Sequence, residues 1–469
     1  MQDYALPCNS PHLIVLLVLL GAIPHASFAQ LTGNDGNPGD TTRITYRKAV
    51  RVALNQNTDI RRSQAQTKQS ELEVSSEWLD YLPDMEVTSS VERRVGRGFS
   101  EVVGGVTTEK QDEFRLTSRS SITIFNGFEN ASSLQGAQKQ AAADRTSLRR
   151  TRREVAFTLI DQFISLVESR EIVRVRKEQV EAQRRRLQQI REFVEAGSRP
   201  KSDEFTAEAD LADAEQRLLQ ARREREVSKN QIIQTLQLNP RRNYEFKVPE
   251  LKEDTLEADQ YDLSDLLSDA FQKRLDLRAA EAELEAARQE IRSEKAAYYP
   301  SISLRGNYGT DWSSQGLRRV DNESFGNQLN VNRGGGLSLR ISIPVFDRFN
   351  RSVQVERAQV SMLDAKYQLQ DQRQQVALQV RQAYFDHQNA VQQLETANKR
   401  FRAARRARTA AQERYELGAA DIVELQNAIR DYVDATSQQI RARYNLLLQR
   451  KKIDYNVGRL STREALFSE

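Results

Sequence analysis

The 469 residues leave room for about two or three ordinary domains, yet 29% are charged, 7% are aromatic and the mean hydropathy is −0.68. That mixture favours long solvated helices over a compact core, and the 70 basic and 66 acidic residues, net +4, are interspersed in a way that supports no nucleic-acid partner. One cysteine, three histidines and the lack of a glycine-rich loop after a strand leave little from which to build a metal site, a thiol or Ser–His nucleophile or a phosphate cradle, so neither catalysis nor a cofactor is expected.

The chain opens with an apolar stretch from Leu13 to Ile23, followed by Ser27-Phe28-Ala29 as a small-x-small cleavage site, which predicts a secretory signal over residues 1–29 and a linker over 30–41. The stretch is shorter than the ~20 residues of a spanning helix. Cys8 precedes it, so no lipid-anchored cysteine is indicated. His12 and His25 leave with the signal, and His387 stands alone in a helical stretch, where a surface or packing role is expected rather than a ligand's.

Glycine and proline are absent from Thr41–Leu82, Ala137–Ala196, Leu251–Tyr299 and Asn350–Leu417. They are absent too from Lys201–Asn239 and Ala419–Val457, which follow the single glycines Gly197 and Gly418. Rich in Ala, Glu, Gln, Arg and Leu, these segments predict helices. Val155, Leu159, Phe163, Leu166, Val173, Val180, Leu187, Ile190 and Val194 recur at threes, fours and sevens, the narrow seam of coiled-coil packing. At a rise of about 1.5 Å per residue, Asn350–Leu417 spans on the order of 100 Å. Such a helix is too polar for lipid and must cross an aqueous space.

Between the helices the period drops to two. Met85, Val87 and Val91 lead into Phe114, Leu116, Ile122 and Ile124, which alternate with Arg115, Thr117, Arg119, Ser121 and Thr123. Later, Ile302, Leu304 and Tyr308 alternate with Ser303, Arg305 and Asn307, and Leu337, Leu339, Ile341, Ile343 and Val345 with Ser338, Arg340 and Ser342. A half-buried soluble sheet gives the same pattern as a membrane barrel. Tyr81, Tyr298, Tyr299, Phe125, Phe128, Phe346 and Phe349 at the helix junctions favour the barrel, as an aromatic girdle at a lipid interface.

The two halves match. An offset of 221 pairs Phe125 with Phe346, Ala137-Gln138 with Ala358-Gln359, Val155-Ala156 with Val376-Ala377, Phe163 with Tyr384 and Gly197 with Gly418. An offset of 217 pairs Ala53 with Ala270, Asp59 with Asp276, Tyr81 with Tyr298 and Pro83 with Pro300. The chain is therefore read as a tandem duplication: repeats over 42–240 and 261–460, a linker over 241–260 and a tail over 461–469. Each repeat supplies two strands. Four strands cannot close a barrel and eight enclose only side chains, whereas three copies give twelve and a pore. The alternative, a periplasmic coiled-coil scaffold, explains the helices but not the duplicated hairpins.

Ala297-Tyr298-Tyr299-Pro300-Ser301-Ile302-Ser303-Leu304, the strand Leu337–Phe346 entering a long helix, and Tyr415-Glu416-Leu417-Gly418 followed by Ile422, Glu424, Leu425, Asn427 and Ala428 resemble the TolC family of outer-membrane efflux proteins, over roughly Thr42 to Leu460. The resemblance implies a mainly α homotrimer with a twelve-stranded β-barrel in the outer membrane of a diderm bacterium, joined to a long helical periplasmic tunnel. It implies, as partners, outer-membrane lipid, a periplasmic adaptor and an inner-membrane transporter, in an efflux pump or type I secretion system. Loops 96–112 and 310–335 would face outside, with the tip turns at Gly197 and Gly418. It further implies an entrance constriction of carboxylates, with Glu424 at the first position and Asn427 in place of the second acid. An entrance latch would join Asp203 to Tyr415 and to an arginine two residues after the tip glycine, where this chain has Ala420.

Overall fold

A computed structural model describes residues 42–100, 104–247, 260–314 and 324–461. The expected signal, the linker before Thr42, most of the inter-repeat linker, parts of both outer loops and all but the first residue of the tail lie outside them. Among the described residues no helix is long and apolar enough to cross a membrane.

The duplication is written in element lengths. The first repeat holds α1 (Tyr46–Gln56, 11 residues), α2 (Thr58–Leu79, 22), α3 (Glu129–Glu195, 67) and α4 (Lys201–Thr235, 35). The second holds α5 (Leu263–Lys273, 11), α6 (Leu275–Ala296, 22), α8 (Asn350–Glu416, 67) and α9 (Ile422–Val457, 36). Each segment expected as one opening helix is therefore two. The first breaks at Asn57, whose Oδ1 accepts from Asp59 N at 2.9 Å to cap α2 and whose Nδ2 donates to Thr235 O at 3.1 Å. The second breaks at Arg274, which donates to Asn456 O at 3.1 Å. Asn57 and Arg274 stand 217 apart, Thr235 and Asn456 221 apart. One docking contact thus survives in both repeats with different side chains. Arg274 also pairs with Asp276, the two side chains 10% and 3% exposed, and Gln372 Nε2 donates to the same carboxylate at 2.9 Å. Burial works to raise the Asp276 pKa, but the hydrogen bond and charge of Arg274, with the Arg150 charge and the Leu277 N–H, together hold the carboxyl below its usual value.

Two short strands join this level. β1 (Thr42–Thr45) pairs in parallel with β4 (Tyr244–Lys247), seating Ile44, Tyr46, Tyr244 and Phe246 around Phe163 in the largest buried cluster. β4 falls inside the stretch expected as a linker; it is a strand because Tyr244 and Phe246 alternate with Glu245 and Lys247 and find this apolar seat. His387 is buried edge-on against Tyr261, at 5.0 Å between ring centroids, so of the surface and packing roles expected it takes packing.

The main sheet has the order β2-β3-β5-β6, all neighbours antiparallel, from β2 (Asp84–Ser100), β3 (Gly105–Asn126), β5 (Ser301–Ser313) and β6 (Gly334–Ser342). Most of 96–112 is strand rather than the expected loop, since β2 and β3 stay paired from Asp84↔Ser121 to Ser100↔Gly105. Within 310–335 lies a short helix α7 (Phe325–Val331), whose Phe325 packs on Phe114 and Trp312. The last strand stops at Ser342, short of the expected Phe346; Pro344, with no N–H to donate, follows.

Candidate functional site: an unpaired sheet edge and two helical tips

Sheet register sorts the alternating residues cleanly. Ile122 lies opposite Leu304, and Leu304 opposite Leu339; Val91 opposite Phe114, and Phe114 opposite Trp312. One face is therefore apolar across all four strands, and the other carries Arg119 beside Asn307 and Ser121 beside Arg305 beside Ser338. Among the described residues only α7 covers part of the apolar face, through Phe325 on Phe114 and Trp312; elsewhere it is bare, with Val91 80% and Leu337 82% exposed. Exposed apolar surface on this scale marks a lipid or partner contact.

At the sheet–helix junction, Tyr81, Tyr298, Tyr299, Phe128, Phe346 and Phe349 of the expected girdle are exposed, whereas Phe125 is half-buried, edge-on to Phe128. The chain enters both 67-residue helices through left-handed residues, Gly127-Phe128 in one repeat and Arg348-Phe349 in the other. Only glycine fits at 127. With φ at +69°, a Cβ there would stand 2.4 Å from Ala296 O and 2.8 Å from the Tyr299 Cβ.

The tips close α3 onto α4 and α8 onto α9 with one geometry. Gly197 and Gly418 take φ of +73° and +72°. Gly197 N donates to Val194 O and Ser198 N to Phe193 O; Gly418 N donates to Tyr415 O and Ala419 N to Arg414 O. These bonds satisfy carbonyls that a helix end would leave bare. The returning helices differ: α4 starts behind Pro200, α9 behind Asp421, whose Oδ1 accepts from Glu424 N at 2.7 Å.

Asp203 and Tyr415 come together through a residue that sequence reasoning missed. Arg199 Nη1 donates to Asp203 at 3.4 Å, and its guanidinium lies 4.8 Å from the centre of the Tyr415 ring. Arg186 stacks on the same ring at 4.7 Å. Burial pulls the Arg186 pKa down, with the Tyr415 and Glu416 charges acting against it. The Tyr415 ring thus carries two cation–π contacts. Arg199 stands two residues after Gly197, so the duplication itself was the available signal: the arginine absent at Ala420 is present in the other repeat.

Glu424 and Asn427 lie one turn apart on α9, and both are engaged within the protomer. Arg414 Nη1 donates to Glu424 at 2.5 Å and its Nη2 to Ala419 O at 3.1 Å; Arg430 donates to Asn427 Oδ1 at 2.6 Å. A further link joins α3 to α9 just above the tips, where the buried amides of Gln183 and Gln426 exchange hydrogen bonds of 2.9 and 3.5 Å. On α4, Asp210 Oδ2 is buried without a hydrogen-bond partner, and burial pushes that carboxyl up, the Arg430 charge opposing and Asp213 adding.

The profile of the outer membrane efflux protein family matches residues 49–236 and 266–458, one match per repeat. Outer membrane protein TolC of Salmonella enteritidis is 25% identical over 202 residues, 43% of this chain and 40% of that protein. The same protein of Escherichia coli K12 is 24% identical over 204 residues, 43% and 41%. The matched stretch thus spans about two fifths of each relative. Among solved structures, the CmeC outer membrane channel of Campylobacter jejuni superposes with a TM-score of 0.76 at 16% identity, over 88% of this chain and 85% of that one. Outer membrane protein VceC of Vibrio cholerae gives 0.73 at 15%, over 88% and 96%.

Proposed function

Because the chain belongs to the outer membrane efflux protein family, and is by that membership an outer-membrane protein with periplasmic helices, we propose that it is one of three identical subunits of a channel-tunnel. That channel-tunnel is the exit duct of a tripartite efflux pump or a type I secretion system. One observation carries the reading: the protomer is a strip left open along both long edges at every level. In the sheet the open edges are β2 and β6. Below it α2 packs on α3, α3 on α6 and α6 on α8; lower still α4 packs on α3, α3 on α9 and α9 on α8. One edge is therefore β2, α2 and α4, and the other is β6 and α8.

Lipid does not tolerate open sheet edges. Both flanks also expose apolar side chains at helical spacing, Leu72, Leu79, Phe205 and Leu219 on one and Val360, Leu363, Tyr367 and Leu378 on the other. Joining β6 of each copy to β2 of the next closes a barrel, with three copies the smallest number that leaves a conduit. The apolar face then meets lipid, and the arginine- and serine-bearing face lines the pore. The long helices carry the conduit into the periplasm, where the tips meet an adaptor and an inner-membrane transporter. In planar bilayers the purified protein should open discrete ion-conducting steps; a preparation that inserts but conducts nothing would overturn the duct.

A further inference from the structure

The α8 flank changes character along its length. Near the sheet it exposes Val353, Val360, Leu363, Tyr367, Leu378 and Phe385. From Lys399 to Arg414 it carries seven bases and one acid. Three of these, Arg402, Arg405 and Arg406, are exposed and have no carboxylate within ion-pair distance among the described residues. The exposed Ala403, Ala407 and Ala410 lie between and beside them, leaving room for close approach. The other free flank runs the opposite way: α4 from Asp203 to Glu215 carries six acids and no base. Both bands lie at similar distances from a tip, Glu208 and Glu215 at 11 and 18 residues beyond Gly197, Arg408 and Lys399 at 10 and 19 residues before Gly418. Several acids already meet arginines of their own hairpin, Glu208 with Arg191, Glu215 with Arg184 and Asp213 with Arg217. These pairs are solvent-exposed, so their oxygens remain open to a second guanidinium.

Resting on the oligomer reading above, we infer that the arginine face of α8 docks on the acidic start of α4 in a second copy of the chain. The subunit seam is then apolar near the membrane and ionic near the tips. The lower seam yields to salt and charge, while the upper seam and the barrel hold the oligomer together. Charge of opposite sign along two facing flanks also fixes which flank meets which, since α4 against α4 or α8 against α8 would set like charges together.

Cysteine cross-linking tests this, because Cys8 is the only native cysteine. Full-length protein carrying Ala209→Cys and Ala407→Cys, purified in mild detergent, is treated with a short bis-maleimide and run under denaturing conditions. The expected result is a ladder of covalent dimers and trimers. The ladder should be lost when Arg402→Glu, Arg405→Glu and Arg406→Glu are added, and also near 1 M salt, where the screening length falls to about 3 Å. Adding Glu208→Arg, Asp213→Arg and Glu215→Arg to the triple reversal should restore it. A ladder indifferent to charge and salt would overturn the ionic seam. No ladder from a protein that still sizes as a trimer would show that the flanks are not apposed; export lost on arginine reversal would then assign that face to another partner. Wild type that sizes as a monomer would instead overturn the channel reading itself.

Discussion

At the residue scale, both residues proposed for the entrance are paired, Glu424 with Arg414 and Asn427 with Arg430. Glu424 is not a free carboxylate in the protomer, because Arg414 holds it at 2.5 Å. Both side chains are about half exposed, so the pair is weak and exchangeable. Glu424→Gln should therefore lower cation preference in single-channel recordings, and Arg414→Gln should raise it by releasing the carboxylate towards the axis. Equal reversal potentials in wild type and both variants would place the constriction elsewhere. Asp210 supplies a test with a definite pH sign. Burial raises its carboxyl above the usual carboxylate range, so its ionised form costs stability at neutral pH, a cost relieved as pH falls through the raised value. Asp210→Asn should raise the melting temperature at neutral pH, with the gap closing towards acid. A variant less stable than wild type at neutral pH would refute the assignment.

At the element scale, the junctions between sheet and helix are less forgiving than the tips. At Gly418 a Cβ would meet open space, so Gly418→Ala should cost only the left-handed backbone, about 1–2 kcal/mol. At Gly127 the same strain is joined by a contact at 2.4 Å with the Ala296 carbonyl. Gly127→Ala should cost clearly more and reduce the assembled oligomer recovered from membranes; equal recovery of the two variants would show that the junction yields. What the sequence made legible follows from the strength of each local signal. Tip glycines, 67-residue helices and strand alternation were readable because each is a repeated or long-range pattern. The breaks at Asn57 and Arg274 were not, since neither residue is a strong breaker and each break is fixed by docking on the end of a distant helix. β1 and β4 were missed for the same reason: four residues each, they are strands only because they pair across the chain. Arg199 was not legible because it reaches Asp203 and the Tyr415 ring from the tip of the first repeat, whereas the resemblance puts the arginine after the second.

At the scale of the whole molecule, what the chain leaves open is what the proposed trimer would close. Among the described residues its sheet offers a largely uncovered apolar face and two open edges, and its helical flanks continue those edges down to the tips. A scaffold with a soluble sheet would be expected to bury that apolar face within the chain. The measurement that bears most directly on this is the mass of the protein extracted from outer membranes into mild detergent, with bound detergent subtracted. A mass of three chains, lost together with the barrel when detergent is exchanged for denaturant, is the predicted result; a detergent-independent soluble monomer would contradict it.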